Sequence, residues 1–206
     1  YGGSEQLVVV EQAIPRIQQD EVLVENVATS INPIDYKARQ GLMQGMFQWQ
    51  FPVTLGWDIA GRIVAVGQDG TNFKVGDAVF ARPDIDPTGR NGSYAEYTVV
   101  KADKLAFKPE NITFNQAAAV PLAALTALQM LEKLQVKAGH KVLIQAGAGG
   151  VGIYAIQLAK LMGAYVATTA SQANHDFVAS LGADQVIDYH AYQIQDVLSD
   201  YDAVFD

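Results

Sequence analysis

Cysteine is absent from the 206 residues of this chain. No disulfide and no thiolate metal site can form within them, and a reducing, cytoplasmic compartment fits that absence. Histidine is scarce too: His140, His175 and His190 are the only three, and none falls in residues 1–110. Cations are few, with 14 Lys and Arg against 22 Asp and Glu and a formal net charge of −8. A nucleic-acid partner needs clustered Lys and Arg to meet phosphates, so none is expected. No apolar run approaches the roughly 20 residues that span a bilayer, and no membrane partner is expected either.

What is present is apolar. Hydrophobic residues make up 50% of the chain and charged residues 17%, enough to bury a sizeable core. The stretch QAGAGGVGIYAIQLAK, residues 145–160, crowds Gly147, Gly149, Gly150 and Gly152 together and runs straight into an apolar helical pattern. Gly147, Gly149 and Gly152 spell G-x-G-x-x-G, a weak signal alone. Here it follows a strand pattern and opens a helix inside a βαβ unit, which makes it a dinucleotide loop. On this reading Gly147 permits a tight turn, Gly149 lets backbone approach a diphosphate, and Gly152 allows close helix packing. The helix start offers free N–H groups and a positive dipole end to the phosphates.

The pattern around this loop divides the chain. Residues 1–110 read as β-rich, with strand patterns at 21–32, 58–67, 73–81 and 92–100, punctuated by Gly, Asn and Pro as in a small barrel. Gly61 interrupts the second pattern as a bulge or bend. From residue 111 the character changes to Ala- and Leu-rich helix, with Pro121 suited to a helix start. Strand and helix then alternate through 141–206, the signature of a doubly wound parallel sheet. The expected fold class is therefore α/β: a barrel domain at 1–110, then a dinucleotide-binding Rossmann domain at 111–206. Tyr1 is not an initiator Met and the chain stops on a strand pattern, so a piece of a longer protein is expected.

The strand after the glycine loop tells which dinucleotide to expect. For NAD an acid should close it and bind the ribose 2′-OH. Here it ends ATTAS, residues 167–171, with no acid. Thr169, Ser171 and Gln172 suit a 2′-phosphate, with Asn174 and His175 nearby, so NADPH is favoured over NADH. An NAD enzyme lacking the acid is the alternative.

Several phrases resemble the zinc-independent quinone oxidoreductase branch of the medium-chain dehydrogenase/reductases, closest to its alkenal (enone) reductases. They are SINPIDYKARQG (30–41), LGWDIAGRIVAVG (55–67), FKVGDAVFA (73–81), GSYAEYTVV (92–100), AAAVPLAALTAL (117–128), GAGGVG (147–152) and LGADQVIDY (181–189). The resemblance implies a GroES-like barrel, a Rossmann domain truncated at its C-terminus, and an active site in the cleft between them. It implies homodimers joined through Rossmann edge strands and a small carbonyl or quinone substrate. Where zinc alcohol dehydrogenases carry Gly-His-Glu, this chain reads Gly56-Trp57-Asp58, with Asp58 a structural carboxylate. Such a zinc site needs Cys and His donors, and the first 110 residues contain neither, so no metal is expected. By resemblance Asn32 and Lys37 lie beside the nicotinamide and Thr126 near its carboxamide. Gly150, Val151 and Gly152 meet the diphosphate, Ser171 and Asn174 the 2′-phosphate, and Tyr189 the adenosine side.

Hydride delivered to the β-carbon of an enone leaves negative charge on the carbonyl oxygen, which needs a donor aimed at it. Lys37 is the candidate catalytic residue; an anchor for ribose or phosphate is its other reading. Phe47, Trp49, Phe51 and Trp57 either line an apolar pocket or form core. Tyr94 and Tyr97, three apart on one strand, point to opposite faces. An NADPH-dependent enone, enal or quinone reductase is thus expected, with a nucleotide-binding protein of little catalysis as the alternative.

Overall fold

A computed structural model describes residues 1–69 and 71–206, which divide into two compact units, Tyr1–Leu122 and Ala123–Asp206. In the first, β1 (Glu21–Thr29), β2 (Ile59–Val66), β3 (Ala78–Ala81), β4 (Tyr97–Lys101) and β5 (Leu105–Phe107) form one antiparallel sheet. Its order is β4-β1-β2-β3-β5. Val22, Val24, Ile59, Ile63, Val79 and Val100 close its core, as the Val- and Ile-rich sequence of these strands requires.

The interruption expected at Gly61 is not there: β2 runs unbroken from Ile59 to Val66, and the extra residue at this point of the ladder is Val27 on β1. A side chain at Gly61 would place Cβ 2.1 Å from the Glu25 carbonyl oxygen, so only glycine lets β2 approach β1 this closely. The ladder slips between Asn26 and Ala28, directly opposite. Gly76 turns the chain into β3 at φ +94°, a left-handed conformation.

The strand expected over 92–100 begins only at Tyr97. Upstream, the Ser93 amide donates to the Gly56 carbonyl and the Tyr94 amide to that of Leu55, which ties this segment to the 55–56 loop instead of the sheet. Tyr94 and Tyr97 are therefore not partners on one strand.

Two helices belong with this sheet. Helix α1 (Pro33–Arg39) starts on Pro33, whose missing N–H costs nothing at a first turn. Helix α2 (Phe114–Ala118) is capped by Thr113, whose hydroxyl accepts from the Gln116 amide at 3.2 Å while Gln116 accepts from the Thr113 amide at 2.9 Å. It buries Ala117 and Ala118 against Ala60 and Phe80. With that packing α2 belongs to the first unit, and the compact division falls at 122/123. Residues 7–10 have no regular structure and expose Leu7, Val8, Val9 and Val10.

The second unit realises the alternation. Helix α3 (Pro121–Lys133) leads to β6 (Lys141–Ile144), α4 (Gly152–Leu161), β7 (Tyr165–Ala170), α5 (His175–Ser180), β8 (Gln185–Asp188), α6 (Ile194–Val197) and β9 (Ala203–Phe205). The sheet is parallel in the order β8-β7-β6-β9. Gly163 ends α4 at φ +83° and Gly182 follows α5 at φ +106°, the left-handed residues that close helices. Val142, Ile144 and Val166 pack against Ala155, Ile156 and Ala159 of α4; the small alanines let the helix lie close to the strands.

Candidate functional site

In the second unit the chain leaves β6 and makes a tight turn before α4. The left-handed residue is Ala146, at φ +52°, and not Gly147 as the motif predicts. What requires a glycine at 147 is space: a Cβ would lie 2.0 Å from Thr168 Oγ1 and 3.0 Å from Ile156 Cδ1. Gly152 meets its expected role, since a Cβ there would lie 2.4 Å from the Ala146 carbonyl oxygen. Gly149 is tight against the same oxygen at 3.1 Å. Gly150 differs, because nothing in the protein lies within 4 Å of its Cβ position. Packing does not demand glycine there.

The amides of Gly150, Val151 and Gly152 have no backbone acceptor among the described residues. They are the free donors of a helix start, next to a position where a side chain would fill open space. A diphosphate fits this cradle in charge and in donor chemistry. Thr169, expected to face a 2′-phosphate, is instead buried, and its hydroxyl accepts from the Ala146 amide at 2.9 Å. It holds the turn in place. Ser171 and Asn174 come together beyond the carboxyl end of β7, Asn174 Nδ2 donating to Ser171 Oγ at 3.2 Å. Tyr189 follows β8 at the same edge, exposed and packed on the His190 ring at 4.3 Å between centroids. Thr126 is exposed on α3.

In the first unit the candidate residues gather around a buried carboxylate. Asp58 Oδ2 accepts from Asn32 Nδ2 at 2.6 Å and from the Ser30 hydroxyl, and Oδ1 accepts from the Leu122 amide at 2.7 Å. Asn32 also donates to Ser30 Oγ at 3.2 Å, so both of its amide hydrogens are engaged. Its backbone N–H donates to Asp35 Oδ2. The Asn-x-x-Asp spacing at the start of α1 is the capping pattern that could have revealed Asp35 in advance. Lys37, two residues further on, is exposed on α1.

Burial pushes the Asp58 carboxyl up from its ordinary 3.8, against the lowering pull of Ser30, Asn32 and Leu122. Burial likewise raises Asp35. A carboxyl raised on folding binds its proton more tightly when folded, so stability increases as pH falls through the folded value toward 3.8. Asp58→Asn places an N–H2 where an oxygen accepted, an expected loss of about 1–2 kcal/mol at pH 7. It should also flatten the rise in stability toward acid, leaving the slope due to Asp35. Thermal unfolding across pH 4–8 checks both.

The aromatic residues divide. Trp57 is core, 1% exposed, packed with Leu55 and Ala38. Phe47 and Trp49 stack at 4.7 Å and are only partly buried, whereas Phe51 is exposed and meets Tyr1 edge-on. Tyr94 is shared by two depressions of this unit. One, of about 500 Å³, is lined also by Ala28, Thr29, Ile31 and Ser93. The other, of about 110 Å³, is lined by Asp35, Tyr36 and Arg39. Burial and the neighbouring Asp35 charge push the Tyr94 phenol up, so it stays protonated as a donor. Among the described residues no group of three or more His, Cys, Asp or Glu is placed to hold a metal ion, and no helix is long and apolar enough to cross a membrane.

Residues 18–110 match the family model of the alcohol dehydrogenase GroES-like domain, and residues 150–206 that of the zinc-binding dehydrogenases. The chain is 43% identical to an NADPH-dependent alkenal/one oxidoreductase of Arabidopsis thaliana chloroplasts, across 100% of this chain and 55% of that protein. It is 40% identical to a quinone-oxidoreductase homologue of Spinacia oleracea chloroplasts, over 91% of this chain and 58% of that one. Among solved structures, the quinone oxidoreductase of Coxiella burnetii superposes with a TM-score of 0.89 at 40% identity, covering 100% of this chain and 65% of its own. The Escherichia coli quinone oxidoreductase complexed with NADPH gives 0.82 at 34% identity, covering 94% and 58%. The chain thus spans a little over half the length of the curated relatives it matches.

Proposed function

This chain belongs to the medium-chain dehydrogenase/reductase superfamily, with quinone and alkenal/one oxidoreductases among its relatives, and on that premise we propose that it carries the NADPH-dependent transfer of hydride to an enal, enone or quinone, without zinc. The observation that carries the reading is the row of unpaired amides at Gly150, Val151 and Gly152 beside a Cβ position that faces no protein atom. Reduced nicotinamide, when bound, supplies the hydride. The three amides hold the diphosphate, Ser171 and Asn174 meet the 2′-phosphate, and Tyr189 borders the adenosine. Asn32 and Thr126 serve the nicotinamide side. The Lys37 ammonium stabilises the negative charge that develops on the substrate carbonyl oxygen. Ligand chemistry supports zinc independence: the chain has no Cys, and no His before residue 140. Assembly as a homodimer and a cytoplasmic location belong to the same proposal.

Consumption of NADPH with 2-alkenals, a quinone and a saturated ketone, with and without chelator, tests the reading. Turnover of the first two classes, indifferent to chelator, is expected. Stabilisation by NADPH with no turnover across the panel would replace it with a binding role. Lys37→Ala is expected to lower kcat about tenfold, less than the hundredfold to thousandfold typical of a buried oxyanion donor because this ammonium is exposed. A rise in KM for NADPH at constant kcat would make Lys37 an anchor for the coenzyme.

A further inference from the structure

The carboxyl edge of the parallel sheet is poor in positive charge. Residues 123–206 contain no arginine and four lysines, Lys133, Lys137, Lys141 and Lys160. All four belong to the opposite, amino edge. Lys141 opens β6, and Lys137 precedes it in the turn where the His140 amide donates to the Lys137 carbonyl. Lys160 Nζ donates to the Ala164 carbonyl at 3.1 Å and to Asp184 at 2.7 and 2.9 Å, and Asp184 also accepts from the Val166 amide near the start of β7. Lys133 ends α3, the helix that leads into that edge.

Strand β7 separates the two edges. Its six residues span about 20 Å, against a screening length of about 8 Å at physiological ionic strength. The field of these lysines is largely lost at Ser171. Among the described residues of this unit, the nearer groups include two carboxylates and no lysine or arginine. Asp188 pairs in register with Ala170, and Asp176 sits in the first turn of α5. His175 follows Asn174, while Tyr189 and His190 lie past β8. A 2′-phosphate brings close to two negative charges to this edge, where the hydroxyl of Ser171 and the amide of Asn174 are the polar side chains that come together. The rule for NAD, an acid at the end of the second strand, fails here, and so does the rule for NADP, a cation close by.

We propose that this chain's preference for NADPH over NADH is modest, because Ser171 and Asn174 meet the 2′-phosphate as neutral donors in place of a cation. The inference rests on reading the glycine turn as a coenzyme site. It makes residue 174 the position that sets coenzyme choice: a lysine there adds a charge-assisted bond to NADPH and nothing to NADH.

The test is kcat/KM for each coenzyme with one 2-alkenal, at low and at physiological salt, for the wild type and Asn174→Lys. Dissociation constants for both coenzymes are measured in parallel by fluorescence titration. A wild-type preference for NADPH below about thirtyfold, changing little with salt, is expected. Asn174→Lys should raise the preference about tenfold to a hundredfold through KM for NADPH, and salt should erode that gain. A wild-type preference above about thirtyfold overturns the proposal, as does an Asn174→Lys variant that leaves it unchanged. If the chain binds both coenzymes without turnover, the ratio of dissociation constants decides the question by the same limits. Binding of neither coenzyme overturns the nucleotide reading itself, and this inference with it.

Discussion

Replacing Arg90 with methionine is expected to lower the unfolding free energy by about 3 kcal/mol. The guanidinium makes a two-pronged contact with Glu21, Nη1 to Oε1 at 3.0 Å and Nη2 to Oε2 at 2.8 Å, and also donates to the Arg16 carbonyl at 2.9 Å. The Glu21 side chain is 3% exposed and that of Arg90 28%. Removing the arginine leaves a buried carboxylate whose remaining hydrogen bond among the described residues is from the Gln18 amide, at 2.8 Å. The lower end of the range for broken buried pairs applies because the guanidinium is partly in water. Adding Glu21→Gln to the variant should recover part of the loss.

The effect carries a pH signature. The hydrogen bonds from Arg90 hold the Glu21 carboxyl below its ordinary 4.5. The contribution of the pair is complete above that value and is lost as pH falls through the lower, folded one. The gap between wild type and variant in urea unfolding should therefore be full at pH 7 and shrink in acid. This runs opposite to the contribution of Asp58 and Asp35, whose folded forms gain from protonation. Equal gaps at both ends of the range would show that the charge of Glu21 does not carry the effect.

Two substitutions in the glycine turn should have large and opposite consequences. Gly147→Ala drives a methyl into Thr168 Oγ1, which is buried and donates to the Ile144 carbonyl at 2.7 Å. Overpacking of that kind costs about 2–3 kcal/mol, and the variant should unfold well below the wild type. Gly150→Ala meets no protein atom within 4 Å and should melt with the wild type. On the proposed reading of this turn, the added methyl would occupy the space taken by the diphosphate. Affinity for NADPH should fall about a hundredfold, the loss of two well-made hydrogen bonds to a charged group. Thermal melts with and without coenzyme, and fluorescence titration, separate the two outcomes. An unchanged affinity in Gly150→Ala would remove this turn from the coenzyme site.

Much of the second unit could be read in advance because its signals are local. A strand buried on both faces is a short apolar run, and Gly163 and Gly182 mark where helices stop. What escaped was set at a distance. Arg90 and Glu21 lie 69 positions apart, so neither predicts the other. Tyr94 reads as strand by alternation, yet the carbonyls of Leu55 and Gly56 claim its segment. Thr169 has the chemistry of a phosphate ligand, but tertiary packing commits its hydroxyl to the Ala146 amide. In the glycine motif the spacing located the turn correctly. The division of labour within it needed coordinates: Ala146 takes the left-handed angle, Gly147 the crowding, and Gly150 the open side.

The extended run Leu7–Val10 has a consequence for handling the protein. Three consecutive valines follow a leucine with no charge among them, and Val9 is fully exposed. Uncharged β-branched ribbon of this kind nucleates fibrils when chains are crowded. Glu11 and Pro15 stand just downstream as gatekeepers, one by repulsion and the other by lacking a donor. Colloidal behaviour at high concentration then depends on a few residues, one of which, Leu7, also lines the smaller depression beside Asp35 and Tyr94.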